Sequence, residues 1–368
     1  MRVPLVDLPA QWARIRAEVE PVVLARLAAC DYVGGAAVAA FEQEFAAFCG
    51  APHSVGCANG TDAIELLARA SGLGDGDEVV IPANTFVATA VGLLRAGVRP
   101  VVADCDEEGA LDPARLEEAI GPRTRAIMPV WLYGRIGRFD ELAAVARARG
   151  LPIWEDAAQA HGASWNGVRA GALGDAAAFS LYPGKNLGAA GDAGVIVTGD
   201  ARLAQACRDV RNYGSERRYE HPRFGYNSRL DTLQAAILSV KLRHLGRWNA
   251  ERRLAARRYD ERLRRLGAVR RPVLGGDDHV FHLYVVRIPR RDAVLDHLQA
   301  AGVGAAIHYP RPVHRLGATT ALLVGARPTP IADARAAEIL SLPLYPELTE
   351  AQIDFVVDAL DNALQEAT

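Results

Sequence analysis

Lys185 stands in the run Phe179-Ser180-Leu181-Tyr182-Pro183-Gly184-Lys185-Asn186-Leu187-Gly188, and with Lys241 it is one of only two lysines among 42 basic side chains. All the others are arginine. In a chain so biased, a retained lysine marks a place to look for chemistry that needs an amine. A primary amine condenses with an aldehyde to a Schiff base, whereas a guanidinium is permanently protonated and delocalised. One proline and two glycines force an abrupt turn after a predicted strand, which presents the Lys185 amine at the strand end. Lys241, in Ser239-Val240-Lys241-Leu242-Arg243 on a predicted helix, reads as a leftover surface charge.

Three further groups could work with such an amine. Ile153-Trp154-Glu155-Asp156-Ala157-Ala158-Gln159-Ala160-His161-Gly162 is an apolar run ending in an acidic pair. A carboxylate at that strand end suits Asp156 to keep a pyridine nitrogen protonated, the electron sink of pyridoxal phosphate chemistry; capping a following helix is the alternative. Gln159 could then hydrogen-bond the phenolic oxygen of the ring. Ala58-Asn59-Gly60-Thr61-Asp62 looks like a turn opening a helix, whose free first-turn N–H groups make a ready phosphate site; an N-cap without a ligand is the commoner meaning of such a turn. The helix dipole adds only about 0.3–1 kcal/mol when exposed, so Ser180 and Asn227 are candidate extra donors. Phe86 begins the next helix, where it could lie on a ring or fill the core.

Other residues are weaker candidates. His308, in Ile307-His308-Tyr309-Pro310, ends a predicted strand and suits substrate contact or packing equally; His161 lies beside Gln159 and could simply be structural. His279 and His282 sit three apart on a predicted strand and face opposite ways, so no metal site is expected. Arg217 and Arg218 could meet a diphosphate or be solvated. There is neither a Walker A loop nor a strand–GxGxxG–helix unit, which argues against nucleoside triphosphates and dinucleotides.

The elements that must position these residues alternate from about Ala51 to Gly199. Strands are predicted over 78–82, 98–103, 125–130, 151–155, 176–181 and 194–198, with helices over 85–96, 112–120 and 139–149 between them. That alternation predicts an α/β fold with a largely parallel sheet, whose ligands sit at the carboxyl ends of the strands. A helix at 202–211 and a polar loop precede a long helix over 231–266. A smaller α/β region follows, with a strand at 280–288 and helices at 291–301, 331–341 and 350–366. The 368 residues suggest about two domains, divided as 1–245 and 246–368.

Composition excludes several classes. A formal charge of −2 gives no basic surplus for nucleic acid, and no apolar run reaches the roughly 18 residues of a membrane span. The N-terminus lacks the apolar core of a signal peptide. Five scattered cysteines without a Cys-x-x-Cys fit reduced thiols in a cytoplasmic protein.

The order and wording of these motifs resemble the DegT/DnrJ type of pyridoxal-phosphate-dependent sugar aminotransferases, in the fold type I (aspartate aminotransferase) superfamily. The resemblance runs from Val3-Pro4-Leu5-Val6-Asp7-Leu8 through Pro82-Ala83-Asn84-Thr85-Phe86 and Gly225-Tyr226-Asn227-Ser228-Arg229 to Leu342-Pro343-Leu344-Tyr345-Pro346. It implies a large domain with a mostly parallel seven-stranded sheet and a smaller C-terminal domain. Lys185 is then the Schiff-base lysine, Asp156 the partner of the pyridinium nitrogen and Gln159 that of the phenolic oxygen. Gly60, Thr61 and Ser180 hold the phosphate, Phe86 stacks on the ring, and Asn227 reaches the phosphate of a second subunit in a homodimer. Tyr182, Tyr213, Arg218 and His308 fall on the substrate side. Trp131-Leu132-Tyr133-Gly134 departs from the His-Leu-Tyr-Gly of many relatives, a change expected on that same side.

The resemblance further implies transfer of an amino group from L-glutamate to a nucleotide-linked keto-sugar, in ping-pong fashion. The wording around Asn212 and Asn227 is most similar to members acting on dTDP-linked 3-keto-6-deoxyhexoses. The 4-keto-sugar and inosose branches share most motifs, and a pyridoxal-phosphate-binding regulatory protein without turnover is the alternative of another class.

Overall fold

The structure, a computed structural model, describes residues 1–217, 219–320 and 327–366, the side chains of 318 and 320 excepted. No element before Ala51 is predicted, yet two helices lie there, α1 (Leu8–Ala28) and α2 (Gly35–Cys49). The alternating part follows as β1 (His53–Cys57), α3 (Gly60–Ala70), β2 (Glu78–Pro82), α4 (Val87–Arg95), β3 (Arg99–Ala103), α5 (Pro113–Ala119) and β4 (Thr124–Ile127). It continues with α6 (Phe139–Arg149), β5 (Trp154–Asp156), the hairpin β6 (Ser164–Trp165) and β7 (Val168–Arg169), β8 (Ala176–Ser180), β9 (Gly194–Thr198) and α7 (Ala201–Val210). The 32-residue α8 (Thr232–Leu263) leads into β10 (Tyr284–Arg287), α9 (Arg291–Ala300), α10 (Gly317–Thr320), α11 (Pro330–Glu338), β11 (Ile339–Leu342) and α12 (Glu350–Glu366).

The strands form two ladders, β3-β2-β4 and β5-β8-β9-β1. Single parallel bridges, Ile127 to Ile153 and Val130 to Asp156, join them into one layer. Only β9 runs antiparallel to its neighbours. Side chains alternate across this layer as the strand period requires. Ala177 and Phe179 of β8 face a core built with α2, α5, α6 and α8, while Ala176 and Ala178 face one built with α3, α4 and α7. Strands buried on both faces read as continuous apolar runs, which is why they were legible. A third core gathers Tyr259 and Leu263 of α8 with β10, β11 and α12. The expected division at 245/246 falls inside α8, whose first half packs on the sheet and whose second half packs in this third core.

Two predicted elements differ. The helix over 331–341 ends at Glu338, because Ile339–Leu342 is wholly buried and pairs antiparallel with β10; a short apolar run satisfies either period. The strand over 280–288 begins only at Tyr284. Val280 and His282 instead donate their N–H groups to the carbonyls of Gly134 (2.9 Å) and Tyr133 (2.8 Å), closing a loop against the sheet edge.

The turn after β5 is held by Glu155, which is fully buried. Its carboxylate accepts from the Trp131 indole N–H (2.8 Å) and from the backbone N–H groups of Gly171, Leu173 and Gly174 (3.0–3.1 Å). Burial still holds its pKa above the usual carboxylate range. Glu155→Leu strands those donors and is expected to lose on the order of 3 kcal/mol or more in urea unfolding. An unchanged midpoint would show that water replaces the carboxylate.

Candidate functional site

A cavity of about 650 Å3 opens at the carboxyl edge of the sheet, and Lys185, Asp156, Gln159, Ser180, Gly60, Thr61, Phe86, Tyr182 and His308 all line it. Gly60 and Lys185, 125 positions apart in the chain, meet there because β5, β8 and the start of α3 end on the same side. Asp156 is the last residue of β5, 5% exposed. One of its oxygens accepts from the Thr89 hydroxyl (2.7 Å), which is 2.7 Å from that of Thr85, and the other accepts from the Ala158 N–H (3.2 Å). Burial raises the Asp156 pKa, with Thr89, Ala158 and the Lys185 charge opposing it.

Lys185 is presented by a turn in which its own N–H bonds the Tyr182 carbonyl (2.8 Å). Burial lowers its pKa to about 8, against the upward pull of Asp156. Such an amine is a nucleophile near neutral pH. The opposite wall is the N-terminus of α3, where Asn59 caps the helix by accepting from the Asp62 N–H (2.8 Å). The N–H groups of Gly60 and Thr61 precede any intrahelical acceptor. A Cβ on Gly60 would lie 2.6 Å from that of Ser180, so only glycine lets the helix end approach the strand end so closely. An amine, a buried carboxylate and a helix N-terminus around one ring-sized space are the donor set that pyridoxal phosphate requires.

Gln159 is already engaged. Its Oε1 accepts from the Tyr133 N–H (2.6 Å) and its Nε2 donates to the Tyr309 hydroxyl (3.2 Å). The Phe86 ring, 49% exposed, faces that of Tyr309 with centroids 5.1 Å apart. His308 is held through Nδ1 by the Ser341 hydroxyl (2.9 Å), and burial lowers its pKa to about 4.

Other expected residues lie elsewhere. Asn227 bridges Asn212 and is not on the cavity wall of its own chain. Tyr213 is exposed with a left-handed backbone and likewise off the wall. Arg218 lies outside the described residues. Trp131 does not reshape the substrate side: its indole points into the sheet core towards Glu155, and Leu132 faces the cavity instead. Lys241 is no surface charge, being 8% exposed with its Nζ donating to the Gly188 carbonyl (2.7 Å). His161 is wholly buried against Phe179. His279 stacks on Phe281, whereas His282 enters the cavity.

Thr85, Thr89, Tyr309 and His282 were missed. The four-residue spacing of Thr85 and Thr89 at the start of a helix puts them on one face and was a readable signal. His282 had none, because it depends on where β10 begins.

This layered fold, with its lysine loop at the carboxyl edge, defines a fold type I transferase. The chain belongs to the DegT/DnrJ/EryC1/StrS aminotransferase family, whose profile matches residues 14–361. It is 44% identical to a dTDP-3-amino-3,4,6-trideoxy-alpha-D-glucose transaminase of Streptomyces venezuelae over 361 residues, 98% of this chain and 95% of that one. The crystal structure of DesV from S. venezuelae, in complex with a ketimine intermediate, superposes with a TM-score of 0.94 at 44% identity, covering 98% of each chain. NtdA from Bacillus subtilis, solved with bound cofactor PMP, gives 0.91 at 29% identity over 99% of this chain and 85% of that one.

The depressed Lys185 pKa has a direct readout in the cofactor-free protein. Labelling with an amine-directed reagent, resolved by peptide mass, should show a midpoint near pH 8 rather than the ordinary 10.5. Asp156→Asn removes the charge that raises it and should move that midpoint down. A midpoint near 10.5 would mean a solvated amine.

Proposed function

We propose that this aminotransferase binds pyridoxal phosphate and moves an amino group from L-glutamate to a nucleotide-linked keto-sugar, in the first instance a dTDP-linked 3-keto-6-deoxyhexose. The observation that carries the reading is the convergence of the Lys185 amine, the Asp156 carboxylate and the α3 N-terminus on one cavity. When bound, the cofactor supplies a carbonyl that an amine can condense with and a ring that delocalises the resulting electron pair.

Each residue then has a part. Lys185 would hold the cofactor through its amine, and the same amine, when free, would take a proton from the substrate carbon as general base and return it as general acid. Asp156, kept in line by Thr89, holds the proton on the ring nitrogen. Gln159 donates to the phenolic oxygen, for which it must share or leave Tyr309. Gly60, Thr61 and Ser180 bind the phosphate, and Phe86 covers one ring face. Asn227, off the cavity wall of its own chain, suits delivery to the phosphate of a second copy, so the active unit is a homodimer. Tyr182, Tyr213, Arg218 and His308 remain the candidates for the sugar nucleotide.

The likeness to the S. venezuelae transaminase supports amination at C3; C4 amination and inosose substrates are the competing readings within the family. Lys185→Ala should lower the glutamate half-reaction, followed by loss of cofactor absorbance, by at least about 10³-fold. A wild-type rate would remove Lys185 from the chemistry. Running the reverse reaction on 3-amino and 4-amino dTDP-sugars with 2-oxoglutarate assigns the carbon, and turnover of only the 4-amino sugar would overturn the C3 assignment.

A further inference from the structure

The loop that carries Lys185, residues 181–193 between β8 and β9, has no regular structure of its own and contains a proline and three glycines. It doubles back so tightly that a Cβ on Gly188 would lie 2.3 Å from the Pro183 carbonyl oxygen. Its own backbone bonds, from the Lys185 N–H to the Tyr182 carbonyl and from the Ala189 N–H to the Leu181 carbonyl (2.8 Å each), set the turn. Three side chains of α8 fix that turn to the rest of the fold.

Gln234 accepts from the Ala190 N–H (2.8 Å), Lys241 donates to the Gly188 carbonyl (2.7 Å), and Asn249 accepts from the Asn186 side-chain amide (2.9 Å). They are spaced by seven and eight residues, about two helical turns each, so they lie along one side of the helix. Asn249 also donates to the His161 carbonyl (2.8 Å), tying the helix to the segment that follows Asp156. Asn186, the residue after Lys185, donates as well to the Val280 carbonyl (3.0 Å).

Lys241 is the least replaceable of the three in a chain that otherwise uses arginine. A single buried carbonyl satisfies a point donor, whereas a guanidinium would bring five N–H groups in a rigid fork to the same spot. We propose that Lys241, with Gln234 and Asn249, is a positioning residue: α8 clamps the loop from Asn186 to Ala190 so that the Lys185 amine is delivered to the cofactor carbonyl in one orientation. This rests on the reading of Lys185 as the Schiff-base lysine.

The test uses the full chain carrying Lys241→Met, which keeps length and removes the donor. Cofactor-free protein is mixed with pyridoxal phosphate, and formation of the covalent link to Lys185 is followed by absorbance. Affinity for pyridoxamine phosphate, which makes no link to lysine, is measured beside it. Link formation should slow on the order of tenfold or more while pyridoxamine phosphate affinity stays at the wild-type value, and Lys241→Arg should not restore the rate. A wild-type rate in Lys241→Met overturns the proposal, and so does a matching loss of pyridoxamine phosphate affinity, which would mean a general collapse of the site. If Lys241→Met does not fold, Gln234→Ala at the more exposed end of the row is read the same way, and an unslowed link overturns the clamp. If Lys185→Ala still forms the link at the wild-type rate, the functional reading fails instead.

Discussion

The structure depends on keeping a primary amine, Lys185, and a carboxylate, Asp156, buried on one cavity at the carboxyl edge of a largely parallel sheet. Removing either charge from water is costly, and the two answer differently. Lys185 yields by becoming easier to deprotonate. Asp156 is supported in its ionised form by a hydroxyl and an N–H, yet burial still raises its pKa. A folded state that tolerates this arrangement must hold it in place by other means, and most of the polar contacts around the cavity serve that end.

Those contacts come from behind the site rather than from within it. Glu155 gathers four N–H donors and sets the turn after β5, so that Asp156, the next residue, points to the opposite side. Thr89 of α4, bonded to Thr85 just before that helix, orients Asp156, and α8 holds the lysine loop from the other side of the sheet. The free N–H groups at the first turn of α3 need no such support, because they are a consequence of being a helix end. The site thus pairs one ready-made feature with two that the rest of the fold must maintain.

How much could be read beforehand follows from the range of the forces involved. The strands of the central sheet other than β1, and the lysine, carboxylate and glycine motifs at their ends, were legible, since period, turn residues and chemistry are all local there. Trp131, Lys241 and Ile339–Leu342 were misread for a common reason. Each is a short stretch whose surroundings come from distant parts of the chain: Trp131 from Glu155, Lys241 from Gly188, and β11 from β10. A lone lysine on an arginine-rich helix looks solvated until the loop that buries it is seen.

The sequence by itself determined that the chain carries an amine, an acid and a helix start with free N–H groups at the ends of successive elements, because those features rest on residue type and local turn geometry. Only the tertiary structure decided which side chains restrain them. Tyr309, His282 and Lys241 acquire their partners through contacts between elements far apart in the chain, and hydrogen bonds of that kind leave no periodic or local mark. The second surviving lysine is the clearest case: its type was visible in the composition, but its reason lies in a carbonyl 53 residues away.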